Sequence, residues 1–208
     1  MPDLIDISPL ISPRIGVWPG DTPFSQKYLC RIEEGSNIDL SAVTTTMHLG
    51  AHADAPSHYA KDGVGIDKRP LSLYYGLCQV IHVQVSKGMR IMPRDVCTEI
   101  VAPRVLFRTG SFPNPDQFTT DFCSLSPELV HFLADKGVVL IGIDTPSVDP
   151  CTSKELESHQ AIANRDLAIL EGIVLQDVKA DVYRLMAFPL RIEGADATPV
   201  RAVLEKLT

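Results

Sequence analysis

The sequence predicts a single α/β domain spanning residues 1–208, β-rich with few helices. Three observations predict it: short runs of β-favouring residues recur along the whole length, helix-start signals are scarce but well formed, and no linker, repeat or low-complexity stretch divides the chain. With 45% hydrophobic and 22% charged residues, the composition is that of an ordinary globular domain able to bury a core.

Tyr28 to Ile32, Ile38 to Thr46, Leu77 to Val85, Arg104 to Arg108, Val138 to Ile143, Ile169 to Leu175 and Tyr183 to Ile192 read as strands, because branched aliphatic, threonine and aromatic residues concentrate there. Ser126-Pro127-Glu128 opens a helix with an N-cap, a proline in the first turn and an acid near the positive end of the dipole, and Gly137 stops it. Thr152 or Ser153 caps another, carrying Leu156 and His159. Thr198-Pro199 opens a C-terminal helix in the same way.

A net charge of -7 and the absence of any Lys or Arg run argue against nucleic acid or an anionic membrane as partner, which leaves a small molecule. The apolar run Val138 to Ile143 is far below the roughly 20 residues of a membrane helix. The stretch Met1 to Ile7 has acids where an export signal needs bases. The five cysteines, Cys30, Cys78, Cys97, Cys123 and Cys151, are scattered and never spaced as Cys-x-x-Cys, so they read as reduced core thiols of a cytoplasmic protein.

The chemistry concentrates in the run His48-Leu49-Gly50-Ala51-His52-Ala53-Asp54-Ala55-Pro56-Ser57-His58. Imidazole and carboxylate together are the ligand set of zinc, iron, nickel or copper, whereas magnesium and calcium prefer oxygen shells. Gly50 and Pro56 disfavour a helix, and in an extended chain the even positions share one face. His52 and Asp54 then lie about 7 Å apart, but His48 lies about 13 Å from His52 if the chain stays straight, so the backbone must bend, and Gly50 is where it can. The β-favouring residues Val43 to Thr46 would deliver the run at a strand end. His82 and His131, among apolar neighbours, read as half-buried structural residues. His159, in Ser158-His159-Gln160, reads as lying in the C-terminal half of a helix, a common place for an exposed histidine. Glu171, an acid in Ile169-Leu170-Glu171-Gly172-Ile173, either ligates a metal or points to solvent; burial without a partner would be costly.

The spaced run resembles the signature of the metal-dependent cyclase family of hydrolases, usually His-x-Gly-Thr-His-x-Asp-x-Pro-x-His, with Ala51 in place of the threonine. Val17-Trp18-Pro19-Gly20-Asp21-Thr22-Pro23, Ile143-Asp144-Thr145-Pro146-Ser147-Val148-Asp149-Pro150, Ile169-Leu170-Glu171-Gly172 and Pro199-Val200-Arg201-Ala202-Val203-Leu204 are similar, within that family, to the bacterial kynurenine formamidases (arylformamidases). The resemblance runs nearly end to end. It implies a swivelling β/β/α (cyclase-like) fold, a homodimer or larger assembly, and two metal ions per subunit, most commonly zinc. His48, His52 and Asp54 would hold the first ion and Asp54, His159 and Glu171 the second, with Asp54 and Glu171 touching both. It also implies that His58 is the proton donor and acceptor and that Trp18 walls the substrate pocket.

Hydrolysis of N-formyl-L-kynurenine to kynurenine and formate, a step of tryptophan breakdown, needs a nucleophile, an oxyanion stabiliser and a proton for the leaving aryl amine. Two metal ions bridged by a water would supply the first two, since zinc brings the pKa of bound water to about 7. His58 would supply the third, an imidazole titrating near pH 6.5. Four residues past Asp54 and beyond the rigid Pro56, it is expected to be steered away from the ligands. An exposed loop tryptophan beside Pro19-Gly20 suits an aromatic substrate. The rivals are a related amide or lactam hydrolase with an isatin-like substrate, a mononuclear non-haem iron oxygenase built on His52-x-Asp54, and a non-catalytic metal protein.

Overall fold

Alternation of apolar residues along the central strands creates two buried faces, and the rest of the chain is arranged to cover them. The computed structural model describes residues 3–207; Met1 and Pro2, which open the N-terminal stretch discussed above, and Thr208 lie outside the described residues. In chain order the strands and helices are β1 (Leu4–Asp6), β2 (Ser25–Cys30), β3 (Leu40–Thr44), β4 (His52–Asp54), α1 (Pro56–Tyr59), β5 (Tyr75–His82), β6 (Arg90–Ile91), β7 (Arg104–Arg108), β8 (Ser124–Leu125), α2 (Pro127–Asp135), β9 (Leu140–Ile143), α3 (Glu157–Asn164), β10 (Ala168–Leu170), β11 (Val182–Met186), β12 (Ala197–Pro199) and β13 (Val203–Lys206).

A 7-stranded sheet runs β1-β13-β11-β5-β7-β9-β10. The β5-β7-β9-β10 half is parallel and the other half antiparallel. Along β7, Val105 and Phe107 join one cluster with Ile141, Ile143, Leu129, Leu133 and Ile162, while Leu106 joins the other with Leu170, Val80 and the alanines 51, 53 and 55. Helices α2 and α3 therefore cover one face and β4, paired with β12, covers the other. The layering is sheet, sheet, helix, with three α-helices among the described residues. No helix among them is long and apolar enough to cross a membrane.

The strand Arg104 to Arg108 falls where expected, and the Tyr28, Ile38, Leu77, Val138, Ile169 and Tyr183 runs each overlap a strand whose ends are shifted. Ser126 caps α2 by accepting from the Leu129 N–H at 3.1 Å, and Gly137 follows the helix at φ +82°. The expected C-terminal helix is replaced by strands. Thr198-Pro199 pairs with β4, and the next residues alternate, with Val203 and Leu204 in the ladder to β11. The Ser153 hydroxyl accepts from the Leu156 N–H at 3.0 Å, but α3 starts only at Glu157, after Leu156 at φ +50°. The cysteines depart from core thiols as well: Cys78 and Cys123 are buried, while Cys97 is exposed and Cys30 and Cys151 are intermediate, all of them free.

Candidate metal centre

The run from His48 to His58 is divided by its own backbone. Gly50 takes φ +57°, which turns the chain as the spacing required. From there only β4 is extended: Ala51, Ala53 and Ala55 point into the core, where their small size lets the strand lie close on the sheet, and His52 and Asp54 point the opposite way. Extension ends at Ala55. Pro56 opens the single turn α1, which swings His58 back until its ring centroid lies 4.2 Å from that of His48. The expectation that Pro56 steers His58 away is thus reversed, because proline in a first helical turn favours the turn it begins.

Glu171 follows β10 and exchanges backbone hydrogen bonds with His52, at 3.1 and 3.0 Å. Only glycine can come next. Gly172 sits at φ +63°, and a Cβ there would lie 2.2 Å from the Gly50 carbonyl oxygen. His159 comes from the first turn of α3, not from a C-terminal half, and it is buried, not exposed. His52, Asp54, His159 and Glu171 are 2%, 1%, 2% and 3% exposed, so the solvent-facing alternative for Glu171 is removed.

The side chains converge. His48 Nδ1 lies 3.0 Å and His52 Nε2 3.5 Å from Asp54 Oδ1. His159 Nε2 lies 3.5 Å from Asp54 Oδ2 and 3.6 Å from Glu171 Oε1, and His52 Nε2 lies 3.1 Å from Glu171 Oε2. Two ligand sets have all their donor atoms within 4.8 Å of one another, His52-Asp54-Glu171 and His48-Asp54-His58.

Both inner rings are aimed from behind. His52 Nδ1 is 2.8 Å from the Gly50 carbonyl and His159 Nδ1 is 2.8 Å from Asp149 Oδ2, which leaves each Nε2 for the carboxylates. Asp149 also accepts from the Ser158 and His159 N–H groups, so it caps α3 from a distance, and Arg90 Nη1 donates to its other oxygen at 2.8 Å. At the rim, His48 Nε2 is 3.0 Å and His58 Nδ1 3.6 Å from Asp196 Oδ2.

The electrostatics follow from this crowding. Burial disfavours the cation at His48, but Asp54 and Asp196 outweigh it and push the imidazole up to about 9. At His159 burial is likewise outweighed, by Asp149 and Asp54, and the ring is pushed up to about 10. Despite complete burial, the His159 and His48 rings hold the Asp54 carboxyl well below the usual carboxylate range. His58 shifts the other way: desolvation pulls it below its ordinary value.

Neither Asp54 oxygen, nor His159 Nε2, has a hydrogen-bond partner among the described residues, although all three are buried. A buried carboxylate that meets the rings around it without a well-aligned hydrogen bond is costly, and a cation between the rings removes that cost. Histidine nitrogen with carboxylate oxygen, each ring oriented by an outer acceptor, fits a zinc-type divalent ion.

A cleft of about 550 Å³ opens onto this cluster. Trp18 lines it, edge-on to Phe118 with centroids 5.5 Å apart and to Phe122 at 6.2 Å. The loop after β7 forms a wall of the same cleft through Gly110, Phe112, Pro113 and Pro115.

Residues 5–150 match the Cyclase family model, well over half the chain. The chain belongs to the cyclase family. Solved structures agree along nearly the whole length. A potential metal-dependent hydrolase with cyclase activity superposes with TM-score 0.85 at 25% identity, covering 99% of this chain and 98% of that one. A predicted metal-dependent hydrolase from Bacillus stearothermophilus gives 0.82 at 24% identity, covering 98% of each. Isatin hydrolase A from Labrenzia aggregata, solved with benzyl benzoate, gives 0.83 at 20% identity, covering 98% of this chain and 93% of that one, a likeness of fold.

Within this cyclase-family framework, sequence reasoning missed three residues. Asp149 stood in a segment already singled out, where an acid between Val148 and Pro150 was the available signal. Asp196 and Arg90 carried none, since exposed-looking acids and bases in loops are common. His131 is exposed and His82 is exposed with its Nε2 2.8 Å from the Val178 carbonyl oxygen, so neither is half-buried, and neither lines the cleft.

Proposed function

We propose that this chain is a metal-dependent hydrolase that converts N-formyl-L-kynurenine to L-kynurenine and formate. The observation that carries the reading is the buried Asp54 carboxylate, set without a well-aligned hydrogen bond between three histidines at the floor of a cleft with an aromatic wall. His48, His52 and Asp54 would hold one zinc ion and Asp54, His159 and Glu171 a second. Such ions, when bound, supply an activated water and polarise the formyl carbonyl.

The chain's own groups do the rest. Asp149 and the Gly50 carbonyl keep the His159 and His52 rings turned so that Nε2 faces inward. Trp18 and Phe118 offer an apolar edge and face to the aryl ring and exclude water from it. His58, at the cleft mouth with a depressed pKa, is neutral at neutral pH and free to take a proton at a ring nitrogen and return it to the aniline nitrogen as that leaves. Greater exposure at the rim than that of His48, not distance from Asp54, supports that role over a ligand role.

Metal analysis together with hydrolysis of N-formylkynurenine tests the proposal. Two divalent ions per chain and formate release are expected. One specific ion per chain rejects the pair, isatin opening without formamide cleavage transfers the site to a lactam, and iron with oxygen-dependent turnover makes it an oxygenase.

We further propose a homodimer in the cytoplasm, contacting through the β2–β3 hairpin. Leu29, Leu40 and Val43 are exposed there, and a two-stranded ribbon is marginal without cover. Light scattering at monomer mass would reject it.

A further inference from the structure

Three of the parallel strands, β7, β9 and β10, deliver one residue each to the edge of the sheet over which the cleft lies. Arg108 ends β7, Asp144 follows β9 and Glu171 follows β10, and all three line the cleft. Carboxyl ends of parallel strands are where such sheets bind ligands. Glu171 belongs to the metal cluster. Asp144 is engaged by its own loop, accepting from the Thr109 and Gly110 N–H groups and the Thr109 hydroxyl at 2.7 to 3.0 Å. Arg108 is different.

It is the one Lys or Arg among the residues lining the cleft, whose other charged groups are Asp21, Asp144, Glu171 and histidines. Its Nε is buried and has no hydrogen-bond partner among the described residues. Asp21, the remaining acid, is occupied by the Thr22 N–H at 2.8 Å. By alternation along β7, Arg108 leaves the sheet on the side of Leu106, the side on which β4 carries His52 and Asp54. Phe112 and Pro113 follow it into the same wall. A planar guanidinium with unspent donors matches a carboxylate in two-point contact.

We propose that Arg108 anchors a carboxylate of the substrate, so that the site takes an aryl amide bearing an acidic side arm and disfavours a neutral one. Resting on the formamidase reading, this assigns the amino acid end of N-formylkynurenine to Arg108, with the aromatic ring against Trp18 and Phe118 and the formyl group at the histidines. An anion entering a protein of net charge -7 needs such a cation to offset the surrounding acids.

The test compares N-formylkynurenine with 2′-formamidoacetophenone, the same formanilide without the amino acid arm, on metal-loaded wild type, Arg108→Met and Arg108→Lys. The ratio of kcat/KM for the charged over the neutral substrate is expected to fall about 10- to 100-fold in Arg108→Met, mainly through KM, and to recover in part in Arg108→Lys. An unchanged ratio, or equal losses on both substrates, overturns the assignment. Should wild type cleave neither formamide, the formamidase reading fails by itself. Calorimetric binding of kynurenine against 2-aminoacetophenone then decides Arg108: a carboxylate-dependent preference lost in Arg108→Met supports the anchor, and equal binding of the two by wild type overturns it.

Discussion

The inner and outer halves of the metal centre are built differently although both draw on the same short run of sequence. His52, Asp54, His159 and Glu171 are almost wholly buried, and each inner ring has its far nitrogen tied to a carbonyl or to Asp149. His48 and His58 stand at the rim, their side chains 19% and 33% exposed, with the half-exposed Asp196 as their shared neighbour. Rigid orientation suits groups that must hold an ion in fixed geometry, and partial solvent access suits a group that must exchange protons. The contrast teaches that spacing in the motif brings the residues together, while burial and a fixed acceptor mark the inner holders. At the rim His48, with Nδ1 3.0 Å from Asp54 Oδ1, stays with the holders, and the more exposed His58 is left to transfer.

The largest way to break this contrast is at the floor. Asp54→Asn and Glu171→Gln are each expected to abolish turnover and to lower metal content measured by elemental analysis; full activity with full metal in Asp54→Asn would end the assignment. At the rim, His58→Ala is expected to retain its metal and lose about 100- to 10,000-fold in rate. Substrates with a better leaving amine should suffer less, and loss of metal would instead make His58 a ligand, as its place within 4.8 Å of His48 and Asp54 allows.

The outer acceptors sharpen the same comparison. Asp149→Asn is expected to weaken metal affinity about 10- to 100-fold, and Asp196→Asn by only a few-fold, in competition with a chromophoric chelator; equal effects would erase the distinction between halves. Metal binding also competes with protons. Without metal, His48 and His159 hold theirs up to about pH 9 and 10, so raising pH toward those values removes the competitor. Apparent affinity should therefore climb between pH 6 and 8 by about tenfold per unit for each proton displaced, and a flat profile would contradict the proton-loaded histidines. Smallest of all, His82→Ala and His131→Ala should leave turnover unaltered, with His82→Ala sacrificing only its bond to Val178, about 1 kcal/mol by thermal unfolding.

Legibility in the sequence followed the range of the interaction. Ser126 and Gly137 marked the ends of α2 because caps act within a turn, and Arg104 to Arg108 declared itself by composition. Thr198-Pro199 misled for the same reason: its cap pattern is local, whereas its pairing with β4 spans most of the chain. The bend at Gly50 was legible because the ligand distances demanded it, but the return of His58 was not, since one helical turn after Pro56 reverses a direction that spacing cannot encode. Glu171 stood out as an acid in an apolar run, and the likeness to the cyclase family decided between ligand and solvent-facing residue. An acid among apolar neighbours could equally have described an edge position, and burial together with the bridge to His52 removes that alternative. Asp149, Arg90 and Asp196 act through partners distant in the chain and left no periodic trace.

The contact of Gly172 with the Gly50 carbonyl has a meaning for how this chain tolerates change. Neither residue offers a functional group, yet a single methyl at 172 would drive apart the segment bearing His52 and the segment bearing Glu171. The Gly50 oxygen is also the acceptor that orients His52, so the disturbance would reach the ring directly. In a scan of every substitution, position 172 would therefore behave like a ligand while contributing no ligand atom, and the quantity under selection there is an empty volume.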